Sequence, residues 1–212
     1  TIYLCEAHTR TGAEFLAAKV YRTPQFRAFR NDAVYREGRV IRDRRVGRAV
    51  RAKTGLGRQA QFGMWVGQEF ETMACLYEVG ADIPKPVAIA GKAILMEYLG
   101  DEQEAAPMLN RVRLAPSEAP VLFERLLANV QLFLACNVVH ADLSAFNVLY
   151  WQGAVKVIDF PQAVDARFNP NADALLERDI HNLCRHFARY GIEADASALA
   201  DDLWRRFLRA EL

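Results

Sequence analysis

Three polar side chains stand in otherwise apolar sequence: Asp142 and Asn147 within "VHADLSAFNVL", and Asp159 within "VIDF". If Asn147-Val148-Leu149 opens one strand of a hairpin and Ile158 closes the other, antiparallel pairing brings Asn147 near Asp159. A carboxylate and an amide oxygen at one spot are hard ligands suited to Mg²⁺, which keeps water and phosphate oxygens in its remaining positions. Asp142, on the loop before Asn147, can then face a nucleophile lined up with a terminal phosphate. Phosphoryl transfer needs little beyond such positioning and charge neutralisation, plus a cation on the nucleotide phosphates. Taken singly, Asp142 and Asn147 read as turn formers. Their chemical meaning lies in the set.

The elements that must position these residues follow from period and punctuation. Ile2 to Ala7 and Glu14 to Tyr21 read as strands joined by the polar connection "HTRTG". From Phe62 to Val79, apolar residues at 62, 65, 66, 70, 73, 76 and 77 form a helical stripe, which Gly80 can terminate. Pro84 and Pro86 force an extended entry into "VAIAGKAILMEYL", a second hairpin turning at Gly91-Lys92. The second half changes character. Ser117 is placed to cap a helix from Glu118 to about Ala135, and "NVLYWQGAVKVIDF" holds two short strands hinged at Gln152-Gly153. Asn169-Pro170 opens a helix running to Tyr190 and stopping at Gly191, and a last helix covers about Ala196 to Ala210. The expected architecture is α+β, a sheet-plus-one-helix lobe joined at Met96 to Asp101 to a mostly helical lobe.

Composition is compatible with that plan. The chain has 212 residues, 52% of them hydrophobic, enough for one large domain or two small lobes. The four cysteines, Cys5, Cys75, Cys136 and Cys184, are far apart in sequence and form no CxxC pair, so reduced thiols in a cytoplasmic protein are expected and a zinc site is not. The longest apolar helix candidate is interrupted by Glu124, Arg125, Asn129 and Gln131, so no membrane association is expected. A net charge of +1 hides a local asymmetry: residues 24–62 hold eleven Arg and Lys against three acids, leaving the remainder near −7. Such a block is a solvated, mobile segment or a contact for phosphate, in nucleotide or RNA. Within it, Thr54 and Tyr35 are candidate internal phosphoacceptors.

"HADLSAFN" together with "VIDFPQ" resembles the catalytic and metal-binding loops of the RIO family of atypical serine/threonine protein kinases. The H-x-D-x-x-x-x-N spacing is common to many kinases. Ser144 after "HADL", "IDFPQ" and "NPNADALLERDIHNL" are more particular to RIO proteins, and "LAAKVYRT", "WVGQEFETMACL", "IPKPVAI" and "ILMEYLGD" match in the same order. The resemblance implies a two-lobed protein-kinase-like fold over residues 1–212, with an N-lobe of residues 1–98 and a short helical C-lobe of residues 99–212. It places a glycine-rich loop immediately before the strand that opens this sequence, so that loop is expected upstream of Thr1, the alternative being an atypical nucleotide lid. It also implies an enzyme using ATP and Mg²⁺, in which Lys19 contacts the phosphates and pairs with Glu69. Asp142 would be the catalytic residue, and Asn147 and Asp159 the metal ligands. The backbone of Glu97 and Leu99 would receive adenine, with Met96 at the back of the pocket and Ala17, Leu149 and Ile158 as its walls. Glu71 competes with Glu69 for Lys19; Asp179 is expected to hold the catalytic loop, and His140 to support it.

Only 53 residues follow Asp159, without an A-P-E motif, which makes a conventional peptide groove unexpected. Activity on a protein, on the chain itself, or as an ATPase all stay open at this point, as does transient phosphorylation of Asp159. A ribosomal precursor or other RNA-containing partner would meet the basic segment 24–62. The competing readings are a small-molecule phosphotransferase of the aminoglycoside or sugar kinase type and a catalytically weak nucleotide-binding scaffold.

Overall fold

The computed structural model describes residues 1–8, 12–21 and 55–212, with side chains from residue 62 onward in the last stretch. Most of the basic segment, Tyr35, Thr54 and part of the first connection lie outside the described residues.

Strands β1 (Ile2–Glu6), β2 (Phe15–Val20), β3 (Pro86–Ala90) and β4 (Ala93–Glu97) form an antiparallel sheet in the order β1-β2-β4-β3. Ala17 lies opposite Met96, and Lys19 opposite Ile94. Because strand side chains alternate, these four residues share one face of the sheet. Ala17, Ile94 and Met96 are buried there, and Lys19 is the cation among them. Helix α1 (Gly55–Glu78) begins seven residues before the apolar stripe that announced it. Residues 55–62 of segment 24–62 are therefore helical backbone. Among the described side chains of α1, Val66, Glu69, Met73 and Leu76 are buried, at the three- and four-residue spacings of one helix face. Gly80, at φ +81°, ends the helix in the left-handed conformation while the Ala81 N–H donates to Leu76 O at 3.0 Å.

The linker to the second lobe is built on a glycine that cannot be replaced without strain. At Gly100, φ is +137°, and a Cβ would sit 2.4 Å from Glu104 O. Here the chain doubles back, with Gly100 bridging to Ala105 and Asp101 accepting from the N–H groups of Gln103 and Glu104, both at 2.9 Å.

Helix α2 (Glu118–Ala135) forms the floor of the second lobe. Ser117 does not cap it: its backbone is helical and its side chain makes no cap hydrogen bond. Glu118 replaces it, accepting from the Ala115 N–H at 2.8 Å and from the Tyr150 hydroxyl at 2.6 Å. The longer side chain reaches back over the turn that serine cannot span. Two of the polar residues interrupting the apolar run of α2 join the lobes. Asn129 accepts from the Asp82 N–H at 2.6 Å and donates to Asp82 Oδ2 at 2.7 Å, and the Arg125 guanidinium pairs with the same carboxylate.

After α2 come β5 (Val138–Val139), β6 (Val148–Trp151), β7 (Ala154–Val157) and β8 (Val164–Asp165), pairing β5 with β8 and β6 with β7. The β6–β7 hairpin turns on Gln152 and Gly153, both at positive φ, the geometry that matches strand twist in a two-residue loop. Helix α3 (Ala172–Phe187) follows a turn in which the Asn169 side chain accepts from the Asn171 N–H at 2.9 Å, the bond an N-capping asparagine makes. A 3₁₀ turn, Ala188–Tyr190, carries it to Gly191 at φ +79°. Helix α4 (Ala196–Leu208) is capped by Asp195, which accepts from the Ala198 N–H at 3.0 Å. Among the described residues no helix is long and apolar enough to cross a membrane.

Candidate active site

The residues expected to do chemistry converge between the lobes. The Lys19 Nζ lies 2.6 Å from Glu69 Oε1 and 2.5 Å from Asp159 Oδ1. Burial alone would lower the pKa of this ammonium, but the two carboxylates outweigh it and raise it above the ordinary 10.5. Lys19 is thus a fixed cation held from one lobe by Glu69 and from the other by Asp159. Glu71 is exposed on α1 and plays no part in this triad. Its register explains why: position 69 is three residues from Val66 and four from Met73 on the buried stripe, and position 71 is not.

The β6–β7 hairpin performs the juxtaposition expected of it. Val148 pairs with Val157, and one step beyond, the Ile158 N–H donates to Asn147 O at 2.9 Å. Asp159 follows with φ +72°, a left-handed turn that swings it out of the strand direction toward Lys19. Asn147 Nδ2 donates to Asp142 O at 2.8 Å and to Asp142 Oδ2 at 3.2 Å, so its amide oxygen is the atom that could meet a cation. Burial raises the Asp142 pKa, and the nearby Asp159 charge adds to this against the Asn147 hydrogen bond. The Asp159 carboxylate and the Asn147 amide oxygen form a hard-oxygen donor pair that fits Mg²⁺. The side chain of Asp159 is 41% exposed, so a hydrated cation can reach it.

The loop holding Asp142 is itself held from α3. Ala141 sits at φ +64°, costly for a residue with a Cβ. Asp179, 2% exposed, accepts from the Ala141 N–H at 2.7 Å and from the Leu143 N–H at 2.9 Å. The Arg178 side chain donates to Ala141 O and Asn182 Nδ2 to Leu143 O at 3.0 Å. Arg178, readable from sequence as one half of an exposed pair with Asp179, therefore belongs to the support of the loop. Burial pushes the Asp179 pKa up to about 7 against these two N–H donors.

His140 supports the loop from the other side. Its Nε2 lies 3.1 Å from Ile158 O, while Nδ1 is buried without a partner, so the neutral ring with its proton on Nε2 fits. Phe160, next to Asp159, packs against His140 and Phe133 at ring-centroid distances of 4.8 and 5.6 Å. Burial pushes the His140 pKa down to about 4 from its ordinary 6.5. A depressed histidine contributes stability present above pH 6.5 and lost as pH falls toward 4, amounting to about 3 kcal/mol. Asp179 has the opposite sign: its contribution is complete below 3.8 and lost as pH rises through about 7. Because the two oppose, the direct test is ¹⁵N NMR of the histidine rings at pH 5. His140 is expected as the neutral Nε2–H form; an imidazolium there would contradict its burial.

One support had no clear sequence signal. Trp65, a turn before Glu69, donates from Nε1 to Pro161 O at 3.1 Å and stacks edge-on against Tyr21 at 5.0 Å, tying α1 to the segment after Asp159. A large aromatic near Glu69 was its only trace. Leu149 is in β6, Ile158 follows β7, and Leu99 is on the linker with its carbonyl taken by the Ala106 N–H at 2.9 Å. Glu97 ends β4, its own N–H donating to Lys85 O at 2.8 Å.

A sheet lobe with one helix, a helical lobe, and a lysine, glutamate and aspartate meeting between them define a protein-kinase-like fold. Comparison with known proteins places it further. The RIO domain family model matches residues 1–199, and the chain belongs to the RIO family. It is 30% identical to the RIO-type serine/threonine-protein kinase Rio1 of Thermoplasma acidophilum over 193 residues, 90% of this chain and 94% of that one. Over 130 residues it is 32% identical to the serine/threonine-protein kinase RIO1 of Caenorhabditis elegans, covering 61% of this chain but only 26% of that protein. A Rio2 kinase of Chaetomium thermophilum, solved as an ADP/Mg²⁺-phosphoaspartate complex, superposes with a TM-score of 0.60 at 23% identity, over 92% of this chain and 59% of that one.

Proposed function

We propose that this chain is an ATP- and Mg²⁺-dependent serine/threonine kinase of the RIO type. The observation that carries the reading is Lys19 held between Glu69 and Asp159, a cation fixed at the junction of the lobes beside Asp142 and Asn147. Lys19 binds the nucleotide phosphates and Glu69 orients it. Asn147 and Asp159 hold Mg²⁺, which supplies charge neutralisation on the phosphates when bound. Asp142 orients the acceptor hydroxyl and takes up its proton. The backbone of Glu97 and Leu99 receives adenine, with Met96 behind it and Ala17, Leu149 and Ile158 as walls.

The acceptor is a protein hydroxyl, in trans or on the chain itself, and the setting is cytoplasmic. The basic segment 24–62 supplies the charge for an RNA-containing partner such as a ribosomal precursor. The small-molecule phosphotransferase reading is not favoured, since the relatives above are protein kinases.

Asp159→Asn tests the metal assignment. Replacing the one anionic ligand by a neutral amide leaves the cation two amides and is expected to raise the Mg²⁺ concentration needed for ATP binding by ~10-fold or more. A Mg²⁺ titration at fixed ATP reads this directly. An unchanged metal requirement means that another carboxylate is the ligand.

A further inference from the structure

Cys75 and Cys136, sixty-one residues apart in sequence, meet with their sulfurs 3.0 Å apart. Cys75 lies on α1, six residues beyond Glu69, and its side chain is exposed. Cys136 is the residue that ends α2, four before His140, and is half-buried. Both are free thiols. Cys136 also points its sulfur at the Cys75 carbonyl, 3.7 Å away. The pair therefore faces itself across the junction between the helix that carries Glu69 and the strand that enters the Asp142 loop.

We propose that Cys75 and Cys136 are a redox-modification site, a reversible disulfide that ties α1 to the helical lobe, formed by exchange with a low-molecular-weight disulfide such as oxidised glutathione. Cys75 reacts first because it is the exposed sulfur. Its thiolate attacks one sulfur of the small disulfide, forming a mixed disulfide and releasing one small thiolate. Cys136 then attacks the Cys75 sulfur, its proton passing to the second departing small thiolate. Two protein thiols and one small disulfide become one protein disulfide and two small thiols, and the protein gives up two electrons. Burial, then the neighbouring Cys75, pushes the Cys136 thiol up to about 12, so Cys136 is not the sulfur that attacks first.

The geometry sets the consequence. A disulfide needs the sulfurs near 2 Å, so closing the bond from 3.0 Å requires only a small side-chain adjustment. α1 is then fixed in the position in which Glu69 meets Lys19, and the bond should strengthen the lobe junction without disturbing the site. A disulfide that forms and breaks in this way suits a compartment where thiols are normally reduced.

The experiment uses the full chain incubated with oxidised or reduced glutathione. Peptide mapping without reduction should find a Cys75–Cys136 cross-link, and intact mass should fall by two hydrogens. The thermal midpoint should rise by about 5–10 °C, in line with ordinary disulfide stabilisation of a chain this size. Reductant should reverse both changes. ATP affinity should be the same in the two states. Cys75→Ser and Cys136→Ser should each lose the cross-link and the thermal shift, whereas Cys184→Ala should keep both. Glutathione retained on Cys75 with no internal bond overturns the proposal, as does an equal thermal shift in Cys75→Ser. A fall in ATP affinity on oxidation overturns the claim that the bond fixes α1 in its binding position. The mapping is done on the unmodified chain, so a poorly folding variant does not blunt the test.

Discussion

Asp142→Ala is expected to lower phosphoryl transfer by about 10²–10⁴-fold, the usual worth of a positioned acid–base group, with ATP affinity nearly unchanged. The asymmetry follows from the hydrogen bonds. Asn147 Nδ2 donates to the Asp142 backbone oxygen at 2.8 Å as well as to its carboxylate at 3.2 Å. Removing the side chain deletes only the longer of the two bonds, so Asn147 keeps its place. Lys19 is held by Glu69 and Asp159 rather than by Asp142, so the phosphate-binding cation also stays. Calorimetry with ATP and a labelled-ATP assay on one preparation decide the matter. Undiminished turnover removes Asp142 from the chemistry; a parallel loss of affinity makes it a nucleotide ligand instead.

Asp179→Ala should be the most destabilising single change near the site. The Ala141 and Leu143 N–H groups are buried, and each would lose its acceptor. Leaving buried donors unpaired costs about 1–3 kcal/mol each, so about 2–6 kcal/mol in all. For a chain of this size that lowers the melting midpoint by roughly 5–15 °C. Ala141 adds to the effect, because its left-handed conformation persists only while its surroundings impose it. Asp179→Asn keeps one acceptor oxygen and should fall between wild type and Ala. Melts at pH 8, where the Asp179 carboxyl is ionised, give the cleanest comparison. If the Ala variant melts with the wild type, Arg178 and Asn182 suffice to hold the loop.

Several features were legible because they are local. The buried face of α1 repeats at helical spacing, the β6–β7 hairpin is flanked by β-forming residues around Gln152-Gly153, and Gly80 and Gly191 stop helices where only a left-handed residue fits easily. Glu69, expected from the family resemblance, lies on that buried face and meets Lys19, whereas Glu71 is exposed. Even Asn147 beside Asp159 is a local consequence, since a hairpin register is counted along the chain from its turn.

What the sequence by itself determined, then, was a set of relations carried by near neighbours: helix faces, hairpin registers, and the types of side chain available for phosphoryl transfer. Tertiary structure decided the relations whose partners are far apart. Asp179 reaches Ala141 across 38 residues and Lys19 reaches Asp159 across 140. Arg125 and Asn129, polar interruptions on an apolar helix, acquired a purpose only when Asp82 was packed against them. The replacement of Ser117 by Glu118 depended on where Tyr150 lay, and four cysteines with no pairing pattern yielded one close pair. Periodicity records which way a side chain leaves its own helix or strand. It holds no record of what the other lobe presents when the two cores close on each other, and that packing set the partners of these long-range contacts.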